Sequence, residues 1–539
     1  YIYNFLTSFC KCIEKFTDAC YTKIDKSRNK RNMLVDLRIK IEEGEYWWGG
    51  AVVHGAFMPL SSQSDYYLNA GINTTPNQFG GVFTSSKGRY IFFDGGAEIR
   101  VQRGEFCVFG TEKEIFSGRY GSTLKEARKY VAQKFFIHPE RFFDKAYMTE
   151  PQYCTWVETL TNVTEQKLLT YAESIRRNGF SGKLLIIDDG WAKDYGDWCF
   201  DEKKFPDPVG TIGKLKTLGF DVVLWCVPFV NKGCPDYAFL KNAGAFIKDE
   251  AGGVLIKEWW NGKSAVLDLS KAAAREWLGN ALERLVKEYG VVGFKFDAGG
   301  AGYYPAGGEI SPNEQNRLWV EFGMRYPYVE LRECVGMEGA AIVQRLCDKP
   351  LDWERGLKAL IPDILQAGMA GYPYCCADMV GGGNISDYAD LKTFDEEFYI
   401  RSCQCAALFP TVQFSYALWR RTEALKKTVA EVCGIRRKLE PYLNDLIENA
   451  RKNGDPVVRP LEYEFPGQGL QGEKESFLLG DKYLVSPVLQ KGERKKRIKL
   501  PLGCCWRYLP DGKIYEGEAE VGCGIEVLPV FERLNAERR

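Results

Sequence analysis

Two short strings place carboxylates where a chain can use them for chemistry. Ile187-Asp188-Asp189-Gly190-Trp191 follows the apolar run Leu184-Leu185-Ile186, and Phe294-Lys295-Phe296-Asp297-Ala298-Gly299 follows Gly290-Val291-Val292-Gly293. Each apolar run reads as a buried strand that ends in acids and then glycine. Two carboxyl groups flanking one bond suit glycoside hydrolysis. One stays ionised and attacks or stabilises the anomeric carbon; the other stays protonated and donates to the leaving oxygen. Lys295 stands two residues before Asp297, so both side chains share a strand face, and a nearby ammonium keeps a carboxylate ionised. Asp297 is therefore the expected nucleophile. Asp188 and Asp189 are adjacent, and at a bending strand end both can accept from neighbouring sugar hydroxyls, with Trp191 or Trp156 as an apolar face. The competing reading of that pair is a turn with a helix-capping aspartate.

Strand and helix patterns alternate around these strings. Strands are expected over 154–157, 184–187, 222–227, 292–296, 328–332, 372–376 and 411–416. Helices are expected over 165–178, 213–218, 272–289, 313–325, 356–367 and 395–408. Repeated βα units over this length fit a (β/α)8 TIM barrel, an α/β fold that carries its chemistry at the C-terminal ends of its strands. Those ends hold Trp156, Asp188, Asp189, Trp225, Lys295, Asp297, Arg332 and Asp378. A doubly wound sheet competes, but neither G-x-G-x-x-G after a strand nor G-x-x-x-x-G-K-[ST] occurs. Short alternating runs with glycine turns on both sides of the barrel predict flanking sheets. The expected division is a helical, basic segment over 1–40, an N-terminal β-sandwich over 41–145, the barrel over 146–454 and a C-terminal β-sandwich over 455–539. Within the barrel, 425–450 has a helical pattern that Pro441 is expected to kink or break.

Composition narrows the chemistry further. Lys+Arg and Asp+Glu are equal at 72 each, so nothing points to a nucleic-acid partner. A Cys/His zinc site or a Ser-His-Asp triad would have to use His54 or His138, the two histidines, and both sit in runs that read as structural. Pairs such as Cys375/Cys376 and Cys504/Cys505 are too close for a C-x-x-C knuckle, and most cysteines read as small apolar fillers. No cofactor or metal is expected. Sequons at Asn73, Asn162 and Asn384 carry little weight, and the cysteines leave the compartment open.

Six strings occur in order: IDDGW at 187–191, LWCVPFVN at 224–231, WWNGKSAVLDLS at 259–270, GFKFDAG at 293–299, DKPLDWERGLKALIP at 348–362 and GYPYCCADMVGG at 371–382. Through them the chain, from about 45 to 535, resembles glycoside hydrolase family 31, and within it the myogenesis-regulating glycosidase group, whose characterised activity is α-galactosidase-like. The resemblance implies a nucleophile at Asp297 and a general acid/base at Asp348, which residue physics alone does not prefer over Asp378. It implies sugar binding by Trp156, Asp188, Asp189, Trp260, Lys295, Arg332 and Asp378. The doubled aspartate is similar to that of α-galactosidases in families 27 and 36, where it holds the galactose 4- and 6-hydroxyls. Family 36 also shows a lysine two before its nucleophile. Typical family 31 α-glucosidases have tryptophan there, a single pocket aspartate and commonly a histidine, where this chain offers Gln413-Phe414-Ser415. The implied activity is a retaining exo-α-glycosidase acting on terminal α-galactosides. An α-glucosidase or α-xylosidase and a catalytically silent sugar-binding protein are the rivals. The likeness also implies a secretory-pathway location with the anchor absent from this chain, and, by analogy with such enzymes, homodimer contacts through the β-sandwich flanks.

Overall fold

The computed structural model describes residues 35–534 apart from Asp390 and Lys392. Most of the basic segment expected over 1–40 lies outside these residues. Its last part, Val35–Lys40, is a strand that pairs antiparallel with Glu105–Phe109.

Eight parallel strands close a barrel in chain order: β1 (Gln152–Cys154), β2 (Leu184–Ile187), β3 (Asp221–Cys226), β4 (Gly293–Phe296), β5 (Tyr328–Leu331), β6 (Val343–Arg345), β7 (Cys375–Met379) and β8 (Thr411–Phe414). β8 returns to β1 through Gln413 opposite Gln152 and Phe414 opposite Tyr153. The expected βα alternation is present with three differences. β1 ends at Cys154, and Trp156–Thr159 is a short helix, although Thr, Trp and Val favour strands. β7 lies three residues later than expected. β6 was not anticipated at all: it is three residues long, two of them are Gln344 and Arg345, and among the described residues no helix separates it from β5.

Local chemistry sets the ends of the surrounding helices. Thr164, Asp207, Ser311, Asp395 and Thr422 each cap a helix start by accepting a backbone N–H, and Pro208 and Pro312 fill first positions where no N–H partner is lost. Gly290, at φ +66°, ends the helix Ala272–Tyr289 in the left-handed conformation and turns the chain into β4. Pro441 does not break its helix, which runs unbroken over Glu423–Asn453. An interior proline costs about 3 kcal/mol. Leu425, Val429 and Val432 before it, and Leu443, Leu446 and Ile447 after it, are all buried, and each such side chain contributes about 1.5–3 kcal/mol. Packing on both sides of the proline therefore outweighs its cost.

Flanking sheets stand on both sides of the barrel in sequence. Two four-stranded antiparallel sheets, built from strands between Val35 and Arg119, enclose Trp47, Leu68, Phe83, Ile99 and Phe106. After the long helix, a six-stranded and a two-stranded sheet enclose Leu478, Leu484, Ile498, Trp506 and Phe531.

The long helix also fastens the barrel's seam. Arg436, fully buried, donates to the carbonyls of Thr149 (2.9 Å) and Met148 ahead of β1, and to those of Ala407 (3.0 Å), Phe409 (2.8 Å) and Pro410 (2.9 Å) ahead of β8. One guanidinium thus satisfies five carbonyls where the sheet closes on itself. Replacing it with an apolar chain of similar length strands those acceptors, and each unsatisfied buried group costs about 1–3 kcal/mol. Arg436→Met is expected to destabilise the fold by at least about 3 kcal/mol in urea unfolding. A loss below about 1 kcal/mol would show that the seam does not rely on this side chain.

Candidate active site

Eight of the nine residues singled out from sequence line one cavity of about 350 Å³ at the C-terminal ends of the strands: Trp156, Asp188, Asp189, Trp260, Lys295, Asp297, Arg332 and Asp348. That volume is at the lower end for a small-molecule site and suits one sugar ring with part of a second. The ninth, Asp378, does not line it. Its side chain is fully buried beside Arg345. Trp156 supplies an apolar face, with its indole N–H on the Gly383 carbonyl (3.2 Å). Trp191 does not: it is core, stacked near Trp198, and donates to the Trp225 carbonyl (2.9 Å). Neither histidine is on the cavity wall; burial holds His54 down near 4, with Nδ1 on the Tyr66 hydroxyl (2.9 Å).

One end of the cavity is formed by the tandem aspartates. Asp188 Oδ2 accepts from Lys295 Nζ (2.7 Å) and from the Cys154 thiol (3.1 Å), and its backbone N–H donates to Thr155 Oγ1 (2.9 Å). Asp189 accepts from Asn261 Nδ2 (2.7 Å) and the Tyr195 hydroxyl (3.2 Å). The two carboxyls therefore face different partners, as the bend after β2 allows. Burial pushes Asp189 up to about 7, with the Asp188 charge adding to it against those hydrogen bonds. Burial also disfavours the Lys295 ammonium, but the Asp188 charge overrides it and holds Lys295 well above the usual lysine range.

At the other end, Asp297 accepts from the Ala298 backbone N–H (2.9 Å) and Trp225 Nε1 (3.2 Å). Ala298 and Gly299 both take positive φ, +49° and +67°, and turn the chain sharply after the carboxylate. A Cβ on Gly299 would meet the Trp319 ring at 2.3 Å, so only glycine fits. Burial works to raise Asp297, yet Arg332 (3.4 Å), Arg345 (3.8 Å) and then Lys295 outweigh it and keep the carboxyl well below the usual carboxylate range. The sequence argument expected Lys295 to ionise Asp297. Its ammonium is instead committed to Asp188, and two arginines, Arg332 just after β5 and Arg345 on β6, do most of that work.

The same arginines reach Asp348: Arg332 at 3.4 Å and Arg345 at 2.5 Å. Arg345 further contacts Asp378 (3.3 Å) and Glu330 (3.7 Å). Sequence reasoning did not single out Arg345, because its strand was not recognised. It also missed Glu333 on the cavity wall, 3.6 Å from Arg332 and pushed up to about 7 by burial. The loop between the N-terminal sheets holds both arginine backbones: Gln78 Nε2 donates to the Arg332 (2.6 Å) and Arg345 (3.2 Å) carbonyls, and Asn77 Oδ1 accepts from the Cys347 N–H (3.1 Å). The adjacent pair Asn77-Gln78 carries no motif that would have announced this.

A buried anion kept ionised, a half-exposed carboxyl beside it and polar groups spaced for hydroxyls form a site for nucleophilic and acid/base work on a sugar. Comparison with known proteins agrees. The model of the glycosyl hydrolases family 31 TIM-barrel domain matches residues 147–331, and that of the family's C-terminal domain matches 454–536. The myogenesis-regulating glycosidase of Mus musculus is 30% identical over 510 residues, covering 86% of this chain and 70% of that protein. An α-xylosidase of Lactiplantibacillus pentosus is 24% identical, covering 87% of this chain and 62% of that protein. Among solved structures, a Flavobacterium johnsoniae GH31 dextranase complexed with glucose superposes with a TM-score of 0.80 at 20% identity, over 92% of this chain and 66% of that one. A soil-metagenome GH31 α-xylosidase complexed with xylose gives 0.78 at 19% identity, over 93% and 79%. The chain belongs to glycoside hydrolase family 31.

Proposed function

We propose that this chain is a retaining exo-α-glycosidase for terminal α-linked galactose. The observation that carries the substrate is the pair of buried aspartates on the cavity wall, each braced by its own partners. Two carboxylates there can accept from two sugar hydroxyls, and an axial 4-hydroxyl with a 6-hydroxyl offers that pair from one side of a galactose ring. Xylose lacks the 6-hydroxymethyl group and would leave one of the carboxylates without a partner, which a site built on hydrogen bonds rejects strongly.

In this reading Asp297 attacks C1 and forms a glycosyl-aspartate ester as the C1–O bond breaks. Asp348 gives its proton to the leaving oxygen, then takes one from the water that cleaves the ester. Asp348 is favoured over Asp378 because its carboxyl is open to the cavity while that of Asp378 is sealed. Arg332 and Arg345 each contact both Asp297 and Asp348, which supports the short carboxyl spacing of about 5–5.5 Å that retention requires.

The second reading, an α-xylosidase or α-glucosidase, draws on the names of relatives such as the Lactiplantibacillus pentosus α-xylosidase. Rates on matched nitrophenyl α-galactoside, α-glucoside and α-xyloside separate the two, with the galactoside expected to lead. A leading xyloside would reject galactose. Asp188→Asn and Asp189→Asn are each expected to lower kcat/KM on the galactoside by about 10–200-fold, the worth of one hydrogen bond to a charged group. An unchanged value in both would remove the doubled aspartate from substrate recognition.

Asp297→Asn is expected to lower turnover by at least about 10⁴-fold while galactose still binds, read by nitrophenol release and calorimetry. Activity within tenfold of the parent would exclude Asp297 as the nucleophile. Proton NMR of the first turnovers should show the α-anomer as the initial product, and a β-anomer would mean inversion.

A further inference from the structure

Asp378 is the residue whose position the proposed reaction does not explain. It is the second-last residue of β7 and has φ +76°, one of four non-glycine residues at positive φ among the described residues. Such a conformation persists only where the surroundings impose it. Its Oδ2 accepts from the Lys349 backbone N–H (3.0 Å), and its Oδ1 lies 3.3 Å from Arg345 NH1. The same guanidinium nitrogen lies 2.5 Å from Asp348 Oδ1. A third feature joins the two acids. Gly383 faces both, and a Cβ there would lie 2.9 Å from Asp348 Oδ1 and 2.9 Å from Asp378 Oδ1. Two carboxyl oxygens thus flank one nitrogen and one glycine, the first acid open to the cavity and the second sealed behind it.

This arrangement answers a problem raised by Asp348 itself. A proton donor is of no use as a carboxylate, yet Asp348 touches two guanidiniums, and each favours its charged form. A second carboxyl on the same cation counters that preference, since two like charges at one place resist ionising together.

We propose that Asp378 is a positioning residue for proton transfer: it forms with Asp348 a carboxyl pair, clamped by Arg345, that keeps one proton between them for delivery through Asp348. The inference rests on the reading of Asp348 as the acid/base. Burial, followed by the Asp348 charge, pushes Asp378 up to about 7, in keeping with a pair that retains a proton to near neutrality. The charged and titratable groups facing the pair are Arg345 on β6, Arg332 after β5, Tyr388 on the short helix after β7 and Cys376 within β7. The Lys349 ammonium points elsewhere, onto Asp363 (2.6 Å).

Asp378→Asn tests the pair with little change of shape, since asparagine tolerates positive φ and can keep the Lys349 contact. For a galactoside with a poor leaving group, the alkaline limb of kcat/KM is expected to move to lower pH by about one unit or more. A dinitrophenyl galactoside, whose departure needs no proton, should keep its kcat. A residue that only holds the fold would lower both rates and leave the limb in place. The reading of function is checked separately, by whether the parent enzyme hydrolyses any aryl α-glycoside.

A second measurement needs no turnover. In protein labelled with 13C at the aspartate carboxyls, Asp348→Asn and Asp378→Asn assign the two signals. The parent should show both responding to a shared upper titration. Asp348 should titrate at least about one unit lower in Asp378→Asn, and Asp378 should fall in Asp348→Asn. If each midpoint stays within about 0.3 units of the parent when the other acid is removed, the two are independent and the inference is wrong.

Discussion

The centre of this molecule depends on one buried guanidinium. Arg345 lies within 4 Å of Asp297, Asp348, Asp378 and Glu330, and among them it links the proposed nucleophile, the proposed acid, the sealed acid and the carboxylate at the barrel's heart. An uncompensated buried charge costs several kcal/mol, so acids at this density can share a cavity only around a cation. Arginine suits the place better than lysine would: its planar fork offers donors in fixed directions, and it stays charged when buried. The clamp itself needs support, because β6 is three residues long and, among the described residues, no helix separates it from β5. Gln78 and Asn77 supply that support by gripping the backbone at the Arg345 carbonyl and the Cys347 N–H. The N-terminal sheets therefore matter to the chemistry although they contribute only Thr74 and Pro76 to the cavity wall.

Charge is divided between two ends of the cavity. Lys295 pairs with Asp188, and the Asp189 carboxyl rests on the neutral donors Asn261 and Tyr195. Arg332 and Arg345 serve Asp297 and Asp348. Glu330 joins the two ends from below, 3.9 Å from Lys295 and 3.7 Å from Arg345, and it accepts from Gln413 (2.9 Å) and Tyr328 (3.2 Å). The lysine that looks on sequence like an activator of the nucleophile thus shapes the end proposed to recognise sugar. Its effect on Asp297 ranks behind that of both arginines.

Much of this was legible in the sequence, and the remainder was hidden for identifiable reasons. β2, β4 and the helix Ala272–Tyr289 announce themselves through apolar runs and a glycine stop, and the acids at their ends follow. β6 gave no such signal, since Val-Gln-Arg is polar where it faces a polar barrel interior. Without the strand, Arg345 had no address, and Asp348 could be reached only through family likeness. Asp378 looked like a cavity residue because strand ends in barrels usually open upward. Its carboxyl lies against Arg345 and its backbone is at positive φ, and no residue pattern specifies either. Pro441 shows the converse: of the expected kink or break, the break does not occur, because packing on both sides holds the helix together.

A cluster of this kind resists relaxation only if its frame cannot yield. Ala298 and Asp378 both occupy conformations that disfavour non-glycine residues by about 1–3 kcal/mol each, and both flank groups proposed to act in the reaction. A sheet with a free edge could release that strain by slipping or fraying. A closed barrel has no free edge, and here the closing pair β8–β1 is held from beneath by the five carbonyl contacts of Arg436. The two buried arginines work at opposite ends of one barrel. Arg436 fixes the ends where the strands begin, so that Arg345 can hold acids together where they finish. The rigidity needed for a preorganised site is therefore built from cations at both ends of the barrel rather than from apolar packing alone.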